Sequence, residues 1–247
     1  GVVLVENEDC HIFEKPSGEH LFYSIAPGRA MKHSDGVPPV IADDWLHLVH
    51  AASLDGFRPL YDALSMMEFY SPVPGEMTRP QEKGPVEQDT LKFRAENVAM
   101  VLDHLARHHY WARNRIEAYL KGIVPNLASV SVEGDNYYRY LRFGLKFPIG
   151  ERSPSMGAES MSDGTLRALG VLAALFQRPQ NGSGLKAAVV GIEEPETALH
   201  PAAARVLFDA LTEAAESRQV VVSTHSPDLL DSDDVEADSI LAVQMGE

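Results

Sequence analysis

Three short segments between Met161 and Ser226 hold the side chains best suited to chemistry. The first, Ile192-Glu193-Glu194-Pro195-Glu196, closes the uncharged apolar run 187–192, so carboxylates gather where a buried strand would end. Two adjacent carboxylates at the carboxyl edge of a parallel sheet can serve a magnesium ion and an attacking water. Taken alone, the same acids could open a solvated loop, which Pro195 would suit. The second segment runs from Val220-Val221-Val222-Ser223-Thr224 into His225-Ser226-Pro227 and puts an imidazole at that edge if the strands are neighbours. Alone, His225 reads as a turn or capping histidine. The third, Met161-Ser162-Asp163-Gly164-Thr165, leads into Leu166, Leu169, Leu172 and Phe176 at helical spacing. Ser162 is a good N-cap, and the Gly164 and Thr165 amides belong to a first turn that favours an anion. Each segment has a structural reading; their order along the chain points to phosphate chemistry.

Elements must bring these tips together. After residue 150 the pattern alternates helix and strand, over 165–176, 187–192, 201–215, 220–224 and 240–243, which predicts a parallel α/β sheet. Upstream the pattern differs. Short apolar groups at 2–5, 11–13 and 21–25, broken by polar turns, predict antiparallel hairpins, and 26–44 and 71–90, rich in Pro and Gly, predict loops. Trp45, Leu46, Leu48, Val49 and then Leu60, Leu64, Met67 fit two modest helices. Val98, Val101, Leu102, Leu105 and then Ile116, Leu120 fit a helical pair, and aromatic-rich strands flank Gly134-Asp135-Asn136 in a predicted hairpin. The loop 148–159 follows. Three parts are expected: 1–70, antiparallel and helical; 71–150, a helical and hairpin lid; 151–247, the lobe with the three tips.

Composition narrows the classes. The 247 residues are 45% hydrophobic and 23% charged, ordinary values for a globular chain with a real core. With 21 Lys and Arg against 36 Asp and Glu, the net charge is −15, so no strongly basic field exists to draw nucleic acid unspecifically. The single cysteine, Cys10, excludes an internal disulfide or cysteine metal cluster and agrees with a reducing, cytoplasmic setting. No apolar run approaches the ~20 residues of a membrane span, so no membrane partner is expected.

The three tips, in this order, resemble the carboxyl-terminal part of an ABC-type ATPase head of the RecF and SMC-like predicted AAA-family ATPases. In that resemblance Met161-Ser162-Asp163-Gly164-Thr165 matches the signature motif, Ile192-Glu193-Glu194-Pro195-Glu196 the Walker B motif, Thr197-Ala198-Leu199-His200-Pro201 the D-loop, and His225 the switch histidine. Residues 151–231 carry nearly all of the likeness. Weaker similarity runs through Phe69-Tyr70-Ser71-Pro72, Glu96-Asn97-Val98-Ala99 and Ile116 to Pro125. The resemblance implies a P-loop NTPase fold: a parallel sheet with flanking helices, antiparallel hairpins and a helical subdomain. It implies ATP and Mg2+ as ligands, with Glu194 as general base or water-orienting carboxylate, Glu193 holding the magnesium hydration shell, and His225 on the γ-phosphate. Ser162, Asp163, Gly164 and Thr165 would meet the γ-phosphate held by a second copy, so the active site would form between two heads. Glu193 stands where transporter ATPases carry aspartate, and Asp163 replaces the first signature glycine.

The phosphate-gripping motif Gly-x-x-x-x-Gly-Lys-Ser/Thr is absent from these residues, and none of the 18 glycines precedes a lysine. The chain reads as a piece of a longer protein whose phosphate loop lies upstream. Two functions are therefore expected: an ATPase that dimerises and drives work on DNA in repair, chromosome maintenance or phage defence, or a non-catalytic head-like module that recruits a nuclease or other effector. Among smaller signals, His104 and His108 with His109 lack an evident third metal ligand and read as a surface helix. Arg107, Arg113 and Arg115 with Tyr110 and Trp111 form the one basic and aromatic cluster, read as a solvated helix face with a nucleic-acid or partner surface as its alternative.

Overall fold

The computed structural model describes residues 7–13, 20–26, 29–34, 36–37, 45–84, 88–146, 155–177, 189–230 and 235–243. The chain divides into two compact units, Gly1–Met67 and Glu68–Glu247. In the first, β1 (Glu8–Phe13), β2 (His20–Ala26) and β3 (Arg29–His33) form an antiparallel sheet in that order. Alternation aims Cys10, Tyr23 and Ile25 at one face, where they pack with Leu48 and Ala51 of α1 (Leu48–Ala51) and with Phe57, which precedes α2 (Arg58–Ser65). The Glu8 carboxylate accepts from the Tyr23 hydroxyl (2.6 Å) and from the His47 and Leu48 amides (2.5 and 3.0 Å), joining strand to helix start. Burial, then the Glu8 carboxylate it donates to, push the Tyr23 hydroxyl far above the usual tyrosine range, so it stays a donor. β3 corrects the loop expected over 26–44: Arg-Ala-Met-Lys-His has no alternating apolar signal, and its strand state comes from pairing with β2. The strand expected over 2–5 lies outside the described residues.

The second unit carries a short parallel sheet, order β10-β9-β4, made of β4 (Glu68–Tyr70), β9 (Val189–Glu193) and β10 (Gln219–Ser223). Tyr70, Ile192 and Val222 sit side by side, and Glu193 lies beside Ser223 at the carboxyl ends. Two short elements, α3 (Pro74–Met77) and β5 (Gln81–Glu82), interrupt what was expected to be loop. The expected helical pair is α4 (Val98–His108) and α5 (Tyr110–Ile123); the hairpin is β6 (Leu127–Gly134) and β7 (Tyr138–Leu145). β8 (Ser155–Gly157) adds to β7 inside the stretch expected as loop. α6 (Asp163–Phe176), α7 (Pro201–Ala215) and the short α8 (Pro227–Leu230) complete the unit.

Apart from Asp163 and Arg167 in its first turns, α6 is apolar on every side and buried, as a central helix must be, and α4, α5, α7 and the hairpin share its core. The hairpin and helices of 71–150 thus build one core with the last hundred residues. The other face of the parallel sheet is more open, with Phe69 58% and Val221 49% exposed. A buried polar chain fixes the base of β4: the Tyr70 hydroxyl donates to Glu68 (3.0 Å) and accepts from Gln177 Nε2 (2.6 Å), whose Oε1 accepts from the Leu91 amide (2.7 Å). The strand expected over 240–243 does not form. Ile240, Leu241 and Val243 are exposed, because an apolar β-prone run becomes a strand only where a ladder and a surface receive it.

The arginines of the basic and aromatic cluster pair within the chain. Arg113 is buried, donates to the Val130 carbonyl and pairs with Glu117 (3.1 Å); Arg115 pairs with Glu213, and Arg107 with Asp103 (3.2 Å). Arg113 and Arg115 hold α5 to β6 and α7, Arg107 pairs within α4, and Tyr110 and Trp111 stay exposed, 70% and 59%. Among the described residues no helix is long and apolar enough to cross a membrane.

Candidate functional site

The parallel register sets the site. Because Glu193 ends β9 beside Ser223 of β10, the next residues of each chain segment, Glu194 and Thr224-His225, leave the sheet together. Glu194 Oε1 lies 2.7 Å from His225 Nδ1. An ionised carboxylate can only accept, so Nδ1–H donates and Nε2 is left facing away from Glu194. The His225 side chain is 86% exposed and that of Glu194 31%, so the contact itself contributes little to stability. Its geometry is held by backbone: the Glu194 amide donates to the Ser223 carbonyl at 2.9 Å, and the Glu194 carbonyl accepts from Arg167 Nε at 3.1 Å.

Glu194 adopts φ 45° and Ala198 φ 66°, left-handed conformations that cost a non-glycine residue ~1–3 kcal/mol. Both flank Pro195-Glu196-Thr197, so the chain turns tightly straight after the strand. Glu196, the last residue of the acidic segment, is only 7% exposed, so it does not belong to a solvated loop. The Thr224 hydroxyl donates to its Oε1, and the Ser226 amide donates to Thr224 Oγ1 at 3.0 Å, so the buried acid holds the residue before His225, whose hydroxyl in turn holds the residue after it. Glu196 Oε2 is buried without a hydrogen-bond partner.

Ser162 caps α6 as its type and place demand: its Oγ accepts from the Thr165 amide at 3.2 Å and lies 2.9 Å from Thr165 Oγ1. Ser162 and Asp163 are exposed, while Gly164 and Thr165 are buried. A Cβ built on Gly164 would meet the Ala198 carbonyl oxygen at 2.2 Å, so this glycine lets the helix start lie directly on the turn after Glu194. The Glu193 side chain is exposed at the strand end. Of the sequence-predicted residues, Glu194 and His225 touch, Glu193 adjoins them along the chain, and Ser162 to Thr165 reach them through the Ala198 turn and Arg167.

Arg167, Glu196 and Thr224 were missed as positioning groups. Their signals were faint: a lone cation in an apolar helix, a third acid behind the pair, and a threonine before the histidine. Among the described residues no group of three or more His, Cys, Asp or Glu is placed to hold a metal. The imidazoles of His104 and His108 instead lie against each other, tilted by 35°, with centroids 4.6 Å apart. A site of one or two carboxylates suits magnesium, which keeps several waters and takes its other ligands from phosphates.

A three-stranded parallel sheet with an acid pair and a histidine at adjacent strand ends, and a capped helix lying against the acid turn, defines an ATPase-like α/β head. Residues 78–231 match the family described as "AAA domain, putative AbiEii toxin, Type IV TA system", and the chain belongs to that family. No curated protein matches the chain. Among solved structures it is similar to an Smc head domain with an extended coiled coil bound to the C-terminal domain of ScpA from Pyrococcus furiosus, at 13% identity and TM-score 0.39, covering 56% of this chain and 36% of that one. It is also similar to the SMC head domain from Thermotoga maritima, at 9% identity and TM-score 0.41, covering 91% and 66%. A further likeness is to an SmcHead bound to the C-winged helix domain of ScpA, at 15% identity and TM-score 0.43, covering 90% and 60%. The chain thus spans between about a third and two thirds of those chains.

Proposed function

We propose that this protein binds ATP with Mg2+ and hydrolyses it at a site completed by a second copy of the same head. The observation that carries the reading is the 2.7 Å contact of Glu194 and His225 at the ends of adjacent parallel strands, with Glu193 next in the chain. Magnesium, when bound, neutralises charge on the transferring phosphoryl group. Glu193, exposed at the strand end, would hold that ion through its water shell. Glu194 orients the attacking water and accepts its proton, and His225, its Nδ1 turned to Glu194, presents Nε2 to a γ-phosphate oxygen. Phosphoryl transfer is governed by positioning and charge stabilisation, which fits residues held by backbone bonds rather than by their own pairing.

Ser162 and Asp163 face outward at the start of α6, where the first-turn amides favour an anion. In this reading Ser162, Asp163, Gly164 and Thr165 address the γ-phosphate of the opposite copy, so hydrolysis requires pairing. The phosphate-gripping loop, absent from these 247 residues, must then come from another segment. The coupled process is work on DNA in repair, chromosome maintenance or phage defence. The missing loop also supports a second reading, a head-like module that pairs or recruits an effector such as a nuclease without turnover.

The test uses the intact protein and Glu194→Gln, with phosphate release and light scattering as readouts. Loss of the carboxylate base lowers turnover by about 100-fold or more and prolongs the ATP-bound dimer. Unchanged turnover in the variant removes the role given to Glu194. A wild-type protein that pairs without releasing phosphate selects the module.

A further inference from the structure

Within α6 the only charged side chains are Asp163, which opens it, and Arg167, one turn into an otherwise apolar and largely buried helix. Among the described residues Arg167 pairs with no carboxylate. Its guanidinium donates through Nε to the Glu194 carbonyl (3.1 Å), through Nη2 to the Glu193 carbonyl (3.0 Å) and through Nη1 to the Pro72 carbonyl (3.0 Å). A rigid planar fork of five N–H donors can hold three such oxygens at once; an ammonium on a flexible stem cannot fix the same plane. The acceptors are two consecutive peptide groups at the end of β9 and one in the loop after β4, so a single side chain ties both strand ends to the helix.

The helix meets the same two segments with bare backbone. A Cβ at Gly164 would come within 2.2 Å of the Ala198 carbonyl, and one at Gly170 within 2.7 Å of Pro72 Cβ. The start of α6 and the turn carrying Glu194 therefore cannot shift independently. The φ of 45° at Glu194 makes the aim of its carboxylate depend on the peptide planes that Arg167 holds.

We propose that Arg167 is a positioning residue: it joins the Ser162 end of α6 to the Glu194–His225 pair, so that occupation of one end sets the geometry of the other. Its consequence for turnover rests on the ATPase reading, whereas its mechanical role does not. When a second copy's phosphate engages Ser162, a displacement of the first turn moves the guanidinium, and the Glu193 and Glu194 carbonyls follow. Hydrolysis in one copy is thereby tuned by contact with the other.

The experiment compares the intact protein with Arg167→Ala and Arg167→Lys by hydrogen exchange and steady-state ATP hydrolysis. The Glu194, Thr197 and Leu199 amides, bonded to the Ser223, Glu194 and Glu196 carbonyls, report on the turn. In Arg167→Ala, exchange over 193–199 rises about tenfold or more while α4 and α5 stay unchanged, an opening confined to one locality. Its kcat falls about tenfold, ~1.4 kcal/mol in barrier, with KM for ATP within about twofold. Arg167→Lys, which keeps the charge and loses the fork, restores only part of either. Exchange over 193–199 within about twofold of wild type in both variants, or full rescue by lysine, overturns the proposal. If Arg167→Ala loses its fold and exchanges throughout, Arg167→Lys alone decides. If wild type hydrolyses no ATP, the ATPase reading fails and the exchange data still judge the positioning role.

Discussion

Replacing Gly164 with alanine sets helix propensity against the tertiary contact. In a solvated helix, Gly→Ala stabilises by up to about 1 kcal/mol, so from sequence alone Gly164→Ala should raise stability. The structure reverses the sign. The new methyl would lie 2.2 Å from the Ala198 carbonyl oxygen and 3.2 Å from Leu199 Cδ2, and relief requires the Ala198 backbone to retreat by roughly an ångström. That backbone is at φ 66°, and the Leu199 amide beside it donates to the Glu196 carbonyl at 2.9 Å, so it has little freedom to yield. Overpacking of this kind costs ~1–3 kcal/mol; taking ~2–3 for a backbone obstacle and subtracting the propensity gain leaves a net loss of ~1–2 kcal/mol. For a unit of this size that lowers Tm by about 2–8 °C. Calorimetry on wild type, Gly164→Ala and, as a solvent-exposed control, Gly75→Ala measures it; nothing lies within 4 Å of a Cβ at Gly75. A Gly164→Ala protein at or above the wild-type Tm would refute the close approach of helix start and turn.

Other outcomes follow from the same geometry. Thr224→Val removes the hydroxyl donated to buried Glu196 and costs ~1–3 kcal/mol, whereas Thr224→Ser costs far less; equal denaturant midpoints for the two would discard the bond. In the hairpin turn, Asp135 accepts from the Tyr137 and Tyr138 amides, at 2.7 and 2.9 Å, and these bonds hold its carboxyl below the usual aspartate range. Its contribution is thus present above the unfolded value of 3.8 and is lost as pH falls through the lower folded value. An NMR titration should show the Tyr137 and Tyr138 amide shifts moving with a midpoint under 3.8 in wild type and not in Asp135→Asn. A midpoint at or above 3.8 contradicts the bonding. Gln177→Leu should strand the Leu91 amide and take one donor from the Tyr70 hydroxyl, which keeps its bond to Glu68, lowering stability by ~1–3 kcal/mol in urea unfolding; a change under ~0.5 would show that water replaces the amide.

Local pattern was enough for much of this protein. Apolar spacing marks α4, α5, α6 and α7 because each turns a defined face, or all faces, into one core, and Pro201 and Ser162 announce helix starts that the structure places where those residues stand. The acid pair and the histidine were visible because a strand that ends abruptly in charge advertises its sheet edge. β3 was illegible because it owes its strand state to pairing with the adjacent β2 and not to its own pattern, β5 because its partner β7 lies far along the chain, and residues 240–243 misled because β-propensity without a receiving edge forms no strand.

Residue identity and order therefore declared which groups meet, Glu194 with His225, and which helix leans toward them. Only the tertiary structure decided how they are held: an arginine on three carbonyls, a buried glutamate gripping a threonine, and a glycine pressed against a peptide oxygen. Those contacts link residues tens of positions apart through backbone atoms that every amino acid shares. Side-chain sequence carries no mark of which carbonyl will be within reach.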